Sequence, residues 1–302
     1  FETNPRENVL ACLNSSTFAG RQSPLDAPDQ IRLLIGDQAV KPLVVGQYLM
    51  WPDRFPAKSR VHRYIYSNIK ATTQQKDKSD VAWTGYVTLL NSQKNLVQNS
   101  SFERGENAPE AWIQSGAGQT GVRFSTDRPN LDELGQRAAR LDVAAGTRSS
   151  WRGWQQEISV SSGATYFVAG WLKCRDLEGE ARIHIHFHDA QGQLVKLGGM
   201  TSIGPGIGGT QDWTLLSGLV KVPSDATTLT LHLTMNTTGT LWHDGVVVAE
   251  VVNVSHAKRE SAPMDKNDFV VWQVPSVVKV FQDDAPSPGR QPIRVCTAKG
   301  EW

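Results

Sequence analysis

Two stretches of this 302-residue chain alternate without a break, and they limit the fold more than anything else in it. In residues 182–189, Ile183, Ile185 and Phe187 occupy every second position. In residues 229–235, Leu229, Leu231, Leu233 and Met235 do the same. A period of two marks a strand with one face in a core and one outside it. Helical periodicity is nearly absent, and residues 131–139 are the one helix-like stretch. Elsewhere short runs of β-branched and aromatic residues end at Gly, Pro, Asn, Asp and Ser, which predicts an all-β sandwich or barrel.

The runs fall into three segments. Residues 1–93 hold candidate strands at 9–13, 31–35, 43–49, 61–67 and 83–90, enough for a small accessory β-sandwich. Within them, Trp51-Pro52-Asp53-Arg54 and residues 60–66 supply aromatic and basic side chains for a contact with the next domain, or for a second ligand surface. Residues 94–252 form a second domain, with strands at 154–160, 165–173, 182–189, 213–222, 229–235 and 241–248. Residues 198–209 carry six glycines and read as a mobile loop. Residues 253–302 read as a linker and the first strands of a further domain that the chain does not contain. Phe1 follows no leader-like stretch, and the start and end both read as cuts in a longer protein.

Thirty-one Lys and Arg against 30 Asp and Glu leave a net charge of +1. That excludes function through bulk charge, so neither nucleic acid nor a membrane surface is an expected partner. No apolar run is long enough to span a bilayer. Three cysteines, Cys12, Cys174 and Cys296, share no metal-ligand spacing and allow at most one bridge. Nucleophile-elbow, zincin and phosphate-loop motifs are all missing. Ten Trp outnumber nine Phe and five Tyr, and Trp is most useful as a flat binding surface.

The alternation assigns faces. With Ile183, Ile185 and Phe187 in the core, His184, His186 and His188 share the opposite side. With the leucines of 229–235 inside, Thr230, His232 and Thr234 point out. Four imidazoles and two hydroxyls then line one surface, and Trp151 and Trp154, entering a strand, supply stacking platforms. Three His at every second position also suit a transition metal, but no carboxylate or Cys accompanies them at ligand spacing.

The second segment resembles the carbohydrate-binding modules of families 4, 9 and 22. Its opening is Asn95-Leu96-Val97-Gln98-Asn99-Ser100-Ser101-Phe102-Glu103-x-Gly105. Trp154-x-Gln156-x-Ile158-x-Val160 follows, then Gly163-x-x-Tyr166-x-x-x-Gly170-Trp171-x-Lys173 and Phe187-x-Asp189-Ala190-x-Gly192. Asp212-Trp213, Val222-Pro223-x-x-Ala226 and Gly239-Thr240-x-Trp242-x-Asp244-x-Val246 complete the series. The resemblance implies a jelly-roll β-sandwich whose concave face binds a polysaccharide or oligosaccharide. It also implies a structural calcium held by Glu103, Asp244 and the carbonyl of Ser101, with Gly245 standing where the family pattern has a second Asp.

In the tail, Val271-Trp272-x-Val274-Pro275-x-x-x-Lys279-Val280-Phe281-x-Asp283 and Ala298-x-x-Glu301 resemble the lead-in to a family 123-like glycosidase domain. Together the resemblances imply the non-catalytic part of a larger secreted or periplasmic glycoside hydrolase, a monomer or joined to a downstream catalytic domain. Two alternatives stand beside that reading. One is a structural spacer without ligand binding. The other is a glycoside hydrolase with an unrecognised carboxylate pair at the domain junction, since such a pair needs no motif.

Overall fold

The computed structural model describes residues 6–14, 31–35, 38–55, 61–68, 78–106, 108–128, 134–253, 258–259 and 269–276. The described chain is mostly strand with one short helix, so the all-β expectation holds. It divides into two compact units: Phe1–Tyr86 with Val251–Trp302, and Val87–Glu250.

In chain order the first unit supplies β1 (Arg6–Asn14), β2 (Ile31–Ile35), β3 (Gln38–Val40), β4 (Leu43–Val45), β5 (Tyr48–Phe55) and β6 (Val61–Asn68). Helix α1 (Lys78–Leu90) leads into the second unit. That unit holds β7 (Ile113–Ser115), β8 (Val122–Asp127), β9 (Ala138–Val143), β10 (Arg152–Ser159), β11 (Thr165–His188), β12 (Met200–Lys221), β13 (Thr228–Met235) and most of β14 (Gly239–Asn253). The chain then returns to the first unit with β15 (Lys258–Arg259) and β16 (Phe269–Ser276).

The first unit has two groups of strands. β1 runs antiparallel to β5, with Leu10 opposite Pro52 and Leu13 opposite Leu49. The last residues of β14 run parallel to it, Leu10 opposite Val251. β16 and β6 pair antiparallel over eight residues, Phe269 opposite Asn68 through Ser276 opposite Val61, and β6 continues to β2 and β3. Trp51 is fully buried, and its Nε1 donates to Asp53 Oδ2 at 2.9 Å. It is therefore not an exposed ring of the kind a ligand surface would present.

The stretch 83–90, expected as a strand, lies in α1. Its buried side chains Tyr86, Leu89 and Leu90 are spaced by three and four, the helical stripe. Short apolar runs rich in Val and Thr do not separate helix from strand on period alone. Gly85 lets the helix backbone approach the Val44 carbonyl, where any Cβ would collide.

The second unit is a jelly roll because two strands are long enough to serve two sheets. β11 has 24 residues and β12 has 22, and they pair antiparallel along most of their length. The C-terminal half of β11 pairs with β13, which continues to β10 and β7. Its N-terminal half lies against β14, with Gly170 close to Val246, and β14 continues to β9 and β8. Between the halves the β11–β12 register shifts four times, from Leu172 to Ile183. Such irregularities bend strands from one sheet into the other.

The inner faces meet in one core: Ile183, Ile185, Phe187, Leu229, Leu231, Leu233 and Leu241 are each 1% exposed or less. Phe124 of β8 meets Trp154 of β10 edge to face at 5.0 Å. The glycine-rich stretch 198–209, expected as a loop, is largely the start of β12. Gly206 lies against the Glu180 and Arg182 side chains and Gly208 against the Gly179 carbonyl, so glycine there permits close approach at the crossing. The expected helix at 131–139 is absent where described: Ala138 and Ala139 begin β9, and residues 131–133 lie outside the described residues.

Candidate functional site

Register assembles the outward face of the sheet β7-β10-β13-β11-β12 row by row. One row reads Ile113, Gln155, His232, His184 and Ser202. The next reads Glu157, Thr230, His186 and Met200. On the other side lie Ser115, Gly153, Thr234 and Arg182. Five strands at a spacing of about 4.8 Å make this face about 19 Å wide. Its middle is polar, and both edge strands carry exposed apolar side chains, Ile113 at 57% and Met200 at 63% exposure.

Thus the predicted His184, His186, His188, Thr230 and His232 do share one surface. Their rings touch. His186 and His232 have centroids 4.3 Å apart, and the His188 ring Nδ1 is 3.2 Å from Thr230 Oγ1. Trp151 is 43% exposed at the end of the face and meets His184 edge-on at 4.5 Å. Arg182 is tied to Glu180 at 2.7 Å.

Burial weakens proton binding at His184, His186 and His232. Burial, and then repulsion from His186, His184 and His188, push His232 down to about 4. Burial followed by the Arg182 and His186 charges lowers His184, and burial followed by His188 lowers His186. His184 Nε2, His232 Nε2 and Thr234 Oγ1 are buried without a hydrogen-bond partner. A buried polar atom without a partner loses roughly 1–3 kcal/mol of hydration that nothing returns. Among the described residues no three imidazole, thiol or carboxylate side chains are placed to hold a metal.

Trp154 departs from expectation. It is fully buried, sharing the inward face of β10 with Gln156 and Ile158. Alternation from Ile158 back to residue 154 already points it inward, whereas Trp151 lies before the strand begins. It is a core residue and not a stacking platform. Gln155, Glu157, Ile113, Met200 and Ser202 went unrecognised in the sequence. The alternation of β10 could have exposed Gln155 and Glu157, but the others reach the face only through cross-strand register.

The proposed calcium ligands lie where β14 passes the segment before β7. Asp244 is fully buried, its Oδ1 accepts from the Gly245 amide at 2.6 Å, and its Oδ2 has no partner. Burial, with a further contribution from the nearby Glu103 charge, pushes its carboxyl up to about 8. Glu103 Oε1 accepts from the Gln136 and Arg137 amides at 2.7 and 2.8 Å. Left-handed Asn99 and Phe102, at φ 50° and 58°, shape the backbone that carries the Ser101 carbonyl. Two neighbouring carboxylates, one with an orphaned buried oxygen, fit a hard cation that takes oxygen ligands.

No protein-family model matches the chain, and no curated protein matches it. Solved structures do. The enzymatically active domain of bacteriophage CBA120 tailspike protein 4 is 20% identical with a TM-score of 0.43, and the match covers 52% of this chain and 22% of that one. The CBM22-1 xylan-binding domain of Paenibacillus barcinonensis Xyn10C is 17% identical with a TM-score of 0.39, covering 50% of this chain and 92% of that one. The C-terminal family 22 carbohydrate-binding module of Clostridium thermocellum Xyn10B is 16% identical with a TM-score of 0.41, covering 53% and 96%. About half of this chain is matched in each case, and no helix among the described residues is long and apolar enough to cross a membrane.

Proposed function

We propose that the second unit binds a neutral or weakly charged glycan along the histidine face. The observation that carries this is the exposed ring of Trp151 against His184, at the end of a sheet face that bears His184, His186, His188, Thr230 and His232. A pyranose needs a flat apolar surface for its C–H side and hydrogen-bonding groups for its hydroxyls. Trp151 supplies the first, and imidazoles, each able when neutral to donate at one nitrogen and accept at the other, supply the second. Exposed Ile113 and Met200 flank the polar floor.

In this reading the chain is the glycan-binding part of a larger secreted or periplasmic glycoside hydrolase, supported by the motif series in 94–252 and the glycosidase-like lead-in at its end. Calcium, held by Glu103, Asp244 and the Ser101 carbonyl, neutralises the two carboxylates and clamps β14 to the segment before β7. Titration calorimetry of the full chain against xylan and galactan oligosaccharides tests the binding. The expected affinity is micromolar to millimolar, weakened about tenfold by Trp151→Ala, equivalent to about 1.4 kcal/mol. Binding that ignores that substitution defeats the groove assignment, and binding to no glycan leaves the spacer reading.

A further inference from the structure

The four imidazoles of the outward face form one half-buried cluster. His186 and His232 have ring centroids 4.3 Å apart, and His184 stands directly opposite His232. His188 continues the line, its Nδ1 3.2 Å from Thr230 Oγ1. Among the described residues no carboxylate pairs with any of the four. Glu180 is closed onto Arg182 at 2.7 Å, and Glu157 is exposed in the row of Thr230 and His186. The β12 edge brings Met200 and Ser202, and the β7 edge Ile113 and Ser115, none of them charged. Asp189, Lys196 and Asp225 lie in the turns beyond His188, and Arg148 lies in the loop before Trp151.

Imidazole is the side chain whose charge changes in mild acid. Two rings in contact resist carrying charge together, so protons enter such a cluster one after another as pH falls. Burial is the main reason that His184, His186 and His232 take theirs below the usual range. Neighbouring rings add to it, and at His184 Arg182 adds to it while Glu180 opposes it. Each proton taken up stays on the sheet as positive charge, because no carboxylate closes onto it. That charge acts over several Å, within a screening length of about 8 Å at physiological salt. It is therefore felt by a ligand lying on the face and on Trp151, with no need to reach the buried ring nitrogens. A sugar carboxylate answers it, since carboxyls titrate at about 3–4 and remain ionised at about pH 5.

We infer that protons set the class of glycan the histidine face prefers: uncharged, it takes neutral chains, and charged by acid it favours chains that carry uronic acid. This rests on the reading of that face as the glycan site. Calorimetric titration of the full chain tests it, with a neutral xylo-oligosaccharide and the same oligosaccharide bearing one glucuronic acid, at about pH 7.5 and about pH 5. The preference for the acidic chain rises at least about fivefold on acidification, the low end of ordinary coupling between two ligands. By the same linkage the acidic chain draws protons onto the cluster, read as proton uptake in buffers of different ionisation enthalpy. In the double variant His186→Gln/His188→Gln the rise falls to about twofold or less.

Binding of the neutral chain with a preference that does not move with pH would overturn the inference and leave the groove standing. Binding of neither chain at either pH would defeat the groove, and the inference with it. A rise that persists undiminished in the double variant would place the charge elsewhere and overturn the assignment to these rings. If that variant does not fold, the wild-type chain decides through salt. A rise that shrinks between about 50 mM and about 500 mM NaCl supports a charged cluster, and one that does not change overturns it.

Discussion

The jelly roll presents two outward faces that differ in how many of their polar side chains find partners. On the face of β8, β9 and β14, Arg140 donates to both oxygens of Asp142 and to Asp127 Oδ2. Trp242 Nε1 donates to Asp127 at 3.1 Å and Thr240 to Asp142 at 2.9 Å. The Arg140 and Arg175 guanidiniums lie 5.2 and 5.5 Å from the Trp242 ring centre. Burial works to raise the Asp127 carboxyl, but the hydrogen bonds from Trp242, the Arg128 amide and Arg140 outweigh it and hold it below the usual range.

On the histidine face, by contrast, imidazoles crowd one another, and buried nitrogens of His184 and His232 find no partner. Both faces carry an aromatic ring and charged groups, so composition does not separate them. What separates them is satisfaction. A closed network has nothing left to offer a ligand, and an open one carries the cost of its unpaired groups.

The comparison can be broken at several points. The largest effect belongs to the tryptophan that neither face uses. Trp154→Ala empties a core site and should cost about 3–5 kcal/mol, read as a collapse of the melting temperature. Chelation comes next. A cation present at about a hundred times its Kd stabilises the fold by about 2.7 kcal/mol, so excess chelator should lower the melting temperature and Glu103→Gln should remove that response. An unchanged melting curve in chelator retires the calcium site.

Trp151→Ala should do the reverse of Trp154→Ala, weakening glycan binding about tenfold while stability moves by about 0.5 kcal/mol or less. Arg140→Leu should lower stability by about 1 kcal/mol, the scale of a partly exposed ion-pair network, and leave glycan affinity unaltered. A shift in affinity there would mean that the closed face also binds ligand.

A last test sharpens the contrast through pH. His232 titrates near 6.5 in an unfolded chain and at about 4 in the fold. Between those values the unfolded chain holds the extra proton, so the contribution is complete above about 6.5 and is lost as pH falls through about 4. His232→Gln should flatten the melting curve across that window. An unflattened profile would show that His232 is not held neutral.

Much of this was legible in the chain. Strand alternation is a local, period-two property of the backbone, so residues 182–189 and 229–235 announced both their core side and their histidine side before any partner strand was known. The ordered motif series likewise pointed to the jelly roll. What tertiary structure decided is of another kind. Whether Trp151 or Trp154 meets solvent depends on where β10 begins and on Phe124 across the core. That His184 faces His232, and that Ile113 and Met200 edge the same surface, depends on register between strands distant in sequence. Arg152 reads in sequence as a polar loop residue beside Trp151. Only the closing of two sheets over it makes it a buried, unpaired charge, because desolvation is a property of what surrounds a group and not of the group itself.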